Sequence, residues 1–196
     1  MSKVEIVNRA LMKLGEPPVS SLNDMQFGKS YEIIYDDIKE LLLSSYPWRF
    51  SLEIKRLPMM EEKYGNKYMY KLPLDCLLLV RVLGGSKSEE KEICLESFQS
   101  YEVVNNTIVT LTDKGVVAEY VKNIDDDMMF TALFREALAA KIAAELSMRI
   151  KHSTSIKQML ENEFLTLIRQ AELNNEIIKD TELVPDSSWV LVRSNW

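Results

Sequence analysis

Apolar residues return every three or four positions near both ends of the chain and every second position in its middle. The first stretch places Val4, Val7, Leu11 and Leu14 on one side, with Ala10 beside them, behind a capping Ser2. That spacing predicts a helix, which Gly15 stops and Pro17-Pro18 prevent from continuing. A second helix follows a loop around Asn23-Asp24. Phe27, Tyr31, Ile34, Ile38, Leu41 and Leu42 line its apolar face, and Pro47 ends it. The period then changes to two. Trp48, Phe50, Leu52 and Ile54 alternate with Arg49, Ser51, Glu53 and Lys55, the pattern of a half-buried strand. Tyr68, Tyr70 and Leu72 repeat it, and Leu77 to Leu83 form a more buried run.

Short strands are expected at Glu92–Leu95, Tyr101–Val104, Thr107–Leu111 and Val116–Val121. Asn105-Asn106 and Asp113-Lys114-Gly115 supply turns between the last three, so a meander is the expected topology. Lys87 to Glu92 and Glu61-Glu62 read as solvated loop faces. Helical period returns after Asp125, a good N-cap. Phe130, Leu133, Ala137, Ala140, Ala144 and Met148 make a stripe whose small residues let another helix approach closely. A break at His152-Ser153 leads to a fourth helix carrying Ile156, Leu160, Phe164, Leu167, Ala171 and Ile178. From Asp180 onward no period is left.

These elements predict an α+β fold: a mainly α-helical bundle of N- and C-terminal helices with an antiparallel β region inserted. The expected segments are 1–47, N-terminal helices; 48–122, β domain; 123–179, C-terminal helices; and 180–196, an extended tail.

Composition narrows the function without naming it. The chain of 196 residues is 46% hydrophobic and 28% charged, ordinary for a globular protein that folds without disulfides or metal. Its net charge of −6, from 24 basic and 30 acidic side chains, argues against a dedicated nucleic-acid binder. It is compatible with a lumen through which DNA slides, where mild repulsion prevents sticking. Cys76 and Cys94 sit among apolar residues and read as buried thiols. The start of the chain has no apolar run of signal-peptide length. The apolar stretch Leu77–Val80 falls far short of the ~20 residues of a membrane span. Synthesis and retention in the cytosol are expected.

Catalytic patterns are missing. No phosphate loop, dinucleotide turn or nucleophile elbow occurs, and six glycines leave little material for a phosphate cradle. The one histidine, His152, lies between helices and reads as a surface or cap residue. Asp125-Asp126-Asp127 suits a helix N-terminus better than a cation, because consecutive carboxylates point in different directions. Trp48 and Phe50 read as core before they read as a stacking platform. Trp189, Val190, Leu191 and Trp196 differ, because they sit in the tail without a periodic partner of their own. They either dock on another chain or pack back on this one. No catalytic residue, metal or cofactor is called for, and the chain is expected not to be an enzyme.

One block is specific. Ala10 to Asp24 reads ALMKLGEPPVSSLND, and its core, Leu14, Gly15, Glu16, Pro17 and Pro18 running on to Leu22, resembles the N-terminal signature of the tail tubular protein A family. These are head-to-tail adaptors of T7-like short-tailed bacteriophages. Tyr46-Pro47-Trp48-Arg49-Phe50 is similar to the family's aromatic entry into its β region. Tyr70 to Cys76 and the alanine-rich helix after Asp125 follow in the expected order.

The resemblance implies a virion structural protein of the podovirus neck, made in the host cytoplasm. It implies a homo-oligomeric ring of roughly twelve copies, with a rotationally closed interface, between the portal protein and the tail nozzle protein. DNA is then only a non-specific passenger through the channel, and no membrane is involved. Two other readings compete. One is a cytosolic helical regulator that binds another protein. The other is a carboxylate-dependent hydrolase of cell-wall polymer, which needs two carboxyl groups about 5–9 Å apart across a cleft.

Overall fold

The computed structural model describes residues 2–22, 28–84, 100–113 and 115–182. Among them are four α-helices and seven strands in two antiparallel sheets, a mixed α+β architecture. The chain forms two compact units, Met1–Tyr35 with Phe130–Trp196, and Asp36–Met129. The first division falls inside a helix, α2 (Gly28–Ser44).

In the first unit α1 (Lys3–Lys13) and α4 (Thr154–Glu182) both pack against α3 (Ala132–Ile150). Ser2 is the N-cap of α1, and its backbone N–H donates to Glu5 Oε2 at 2.8 Å. This satisfies a donor that the helix start leaves open. α1 turns Ile6, Val7, Ala10 and Leu11 inward, all at most 1% exposed. α3 is buried over most of its circumference. Five alanines (Ala137, Ala139, Ala140, Ala143 and Ala144) have no exposed surface, so neighbouring backbones come close.

Ion pairs rim these contacts. Arg9 pairs with Glu136, Lys13 Nζ lies 2.5 Å from Glu163 Oε1, and Lys141 Nζ lies 2.8 Å from Glu161 Oε1. Each partly exposed pair contributes about 0–1 kcal/mol. Burying one Ile, Val or Leu contributes about 1.5–3 kcal/mol. Apolar burial therefore holds the unit together, and the ion pairs fix which turn meets which.

α3 begins later than the pattern after Asp125 suggests. Its N-cap is Thr131, whose Oγ1 accepts from Phe134 N–H at 3.3 Å. Asp125 is therefore not the cap of this helix. The acidic run instead opens a 3₁₀ turn, Asp127–Met129, where Asp126 Oδ1 accepts from Met128 N–H at 2.9 Å. Met148, assigned to the inner stripe, is 40% exposed, and Leu138, Ile142 and Leu146 take the inner positions. The inward face of α4 is as expected at Leu160 and Ala171, with Ile168 added.

In the second unit β1 (Leu52–Leu57), β7 (Val116–Lys122) and β4 (Cys76–Gly84) make one sheet in the order β1-β7-β4. β2 (Met59–Tyr64), β3 (Lys67–Lys71), β6 (Thr107–Thr110) and β5 (Tyr101–Val104) make the other, in the order β2-β3-β6-β5. Leu57, Tyr70, Val82, Ile108, Ala118 and Tyr120, drawn from both sheets, share one core. β7 is buried on both faces from Val116 to Val121, as a central strand should be.

The predicted turn at Asn105-Asn106 is present, with φ of 46° and 59°, the left-handed pair that a two-residue hairpin needs. The meander is not. β6 already has β3 on one side and β5 on the other, so β7 joins the other sheet.

Three further expectations are corrected. Trp48 to Ser51 are not strand. Arg49–Ser51 form a 3₁₀ turn, because Trp48 is 1% exposed and its Nε1–H donates to Leu42 O at 2.8 Å, turning the backbone back on α2. Ile54 is 54% exposed and Leu41 57% exposed, while Leu57 and Leu43 are buried in their place. Glu61-Glu62 lie within edge strand β2, which turns at Gly65 (φ 62°) into β3. The strand expected at Glu92–Leu95 and Cys94 fall outside the described residues.

Candidate functional site

Leu14, Gly15, Glu16, Pro17 and Pro18 form a built corner at the end of α1. Gly15 has φ of 71°, and a Cβ placed on it meets nothing within 4 Å. Its backbone N–H donates to Met12 O at 3.0 Å, and that of Glu16 donates to Leu11 O at 2.9 Å. These are the two crossed bonds by which a helix with a left-handed residue after its C-cap satisfies its last carbonyls. Leu14, at 4% exposure, anchors the corner from below.

Two side chains then fix the exit. Asn8, on α1, donates from Nδ2 to Val19 O at 2.9 Å and accepts from Val19 N–H through Oδ1 at 2.8 Å. The chain leaving Pro18 is thereby held alongside the helix it came from. Glu16 Oε1 accepts from Lys151 Nζ at 2.7 Å, and Lys151 is the C-cap of α3. The corner is thus joined to the turn between α3 and α4. Burial, followed by the Glu16 charge, raises the pKa of the Tyr31 hydroxyl, so tyrosine there stays neutral. Pro17 and Pro18 are exposed. The corner thus combines two exposed prolines with a carboxylate already paired to Lys151.

Asn8 escapes sequence reading. The only hint is a poor helix former set inside an apolar helix. Trp189, Val190, Leu191 and Trp196 lie outside the described residues.

Several other polar groups have structural partners. Lys122 Nζ lies 2.9 Å from Glu53 Oε2 and 3.7 Å from Asp75 Oδ2. The Tyr120 hydroxyl donates to Asp75 Oδ1 at 3.5 Å. Burial, then the charges of Asp75 and Glu53, push its pKa well above that of ordinary tyrosine. Burial and Asp75 raise the Cys76 thiol as well, which keeps it protonated and a poor nucleophile. His152 is exposed, with φ of 50°, in the turn between α3 and α4. Among the described residues no three His, Cys, Asp or Glu side chains are grouped to hold a metal ion. No helix among them is long and apolar enough to cross a membrane. No protein-family model matches this chain, and no curated protein matches it.

Proposed function

We propose that this chain is a subunit of a head-to-tail adaptor ring, placed between the portal and the tail nozzle of a short-tailed bacteriophage. The observation that carries the reading is the corner at Leu14 to Pro18. It is the segment whose sequence resembles the tail tubular protein A signature, and its crossed backbone bonds and the Asn8–Val19 pair make it a fixed scaffold. In this reading the helices from the two ends of the chain form one bundle, and the β region is an insertion within it.

Two further features support assembly. Large apolar side chains stand exposed on several elements, including Ile33 and Leu41 on α2, and Leu165 and Leu173 on α4, each between 57% and 60% exposed. A subunit that will be enclosed by neighbours carries such surface at low cost. The acidic balance of −6 favours a channel wall that DNA passes without binding. In the ring each subunit contacts its neighbours through two different patches, because only a heterologous contact closes under rotation. The tail, residues 180–196, supplies Trp189, Val190, Leu191 and Trp196 as the docking contact with a partner ring. Catalysis plays no part, and the protein resides in the virion neck.

The test is to mix the purified protein with a purified portal ring from the same phage and image the mixture by electron microscopy. The expected result is a second tier of density with the portal's rotational symmetry. Free portals beside dispersed subunits at micromolar concentration would overturn the proposal.

A further inference from the structure

We draw no further inference here: the strongest candidate, the cavity of about 300 Å³ at the ends of β1 and β7 walled by Phe50, Leu52, Ile124 and Met129 with Glu53, Asp125 and Asp126 around it, is an acidic cluster in which Glu53 is already paired with Lys122 and Asn123, whose Oδ1 has no partner, is a side chain only half-buried.

Discussion

Asn8 and Val19 hold each other in both directions, side-chain amide to backbone, at 2.9 and 2.8 Å across eleven residues of chain. One side chain thereby bonds both the N–H and the C=O of Val19, as a neighbouring strand would. A helix surface and an extended segment become a single rigid corner.

Replacing Asn8 by Ala removes both bonds and leaves a partly buried N–H and C=O without them. The expected loss is about 1–3 kcal/mol, seen as a lower urea midpoint with an unchanged slope. Asn8→Asp keeps the acceptor but sets a carboxylate against the Val19 carbonyl, and it should recover little. A midpoint within error of the parent for Asn8→Ala would show that the pair does not fix the corner.

Two positions with left-handed backbone make opposite predictions. Gly15→Ala meets no neighbour, so only the backbone conformation is taxed, and the expected destabilisation is about 1–2 kcal/mol. His152→Gly relieves the same conformation at φ 50°, and because the left-handed cost of about 1–2 kcal/mol exceeds the extra chain entropy of glycine, about 0.5–1 kcal/mol, stability should rise. Thermal unfolding of both variants checks the pair. A His152→Gly variant less stable than the parent would mean that the imidazole makes a contact worth more than the strain.

Lys39 is 8% exposed, and its Nζ donates to Ile124 O at 3.0 Å, fastening the second half of α2 to the segment after β7. Lys39→Met keeps most of the apolar stem and removes the bond. About 1–2 kcal/mol should be lost, with a larger loss for Lys39→Ala because the stem goes too. Denaturant unfolding of the two variants side by side separates the hydrogen bond from the packing.

The raised pKa of Tyr120 makes stability depend on pH on the alkaline side. Folding favours the neutral phenol, since burial and the nearby Asp75 and Glu53 charges all oppose tyrosinate. The unfolded chain releases this proton near its ordinary pKa of about 10. The folded protein therefore binds more protons above that pH, and its stability falls as pH rises further. The contribution is fully present below about pH 10. Tyr120→Phe should flatten this alkaline limb without changing its shape at neutral pH, as read from urea midpoints across a pH series. An alkaline limb as steep in the variant as in the parent would assign it to other groups, such as Tyr31 or Tyr70, which burial also raises.

If the chain is the adaptor subunit proposed above, removing residues 180–196 should abolish binding to the portal ring while the remaining chain stays folded. Pull-down with the portal ring and circular dichroism give the two readings. Unchanged ring binding would place the docking surface elsewhere.

Sequence alone determined the features whose physics is short-ranged. Ser2 caps α1, Gly15 ends it, Asn105-Asn106 turn a hairpin, and the chain breaks at His152-Ser153, because each depends on the φ preference or hydrogen-bonding reach of a few neighbouring residues. The change of period from helix to strand and back was legible for the same reason. The corner was readable as a stop and an exit, but its rigidity was not. Asn8 finds Val19 only once the chain has turned.

Tertiary structure decided what depends on partners that the periodic pattern does not name. β7 leaves β6 because β3 and β5 occupy both of its edges. Trp48 turns out of the strand pattern because its indole finds the Leu42 carbonyl. Lys39 is buried because Ile124 offers an acceptor eighty-five residues away. Period two allots side chains to two faces without saying which face meets the core, and Ile54 lies on the one that does not.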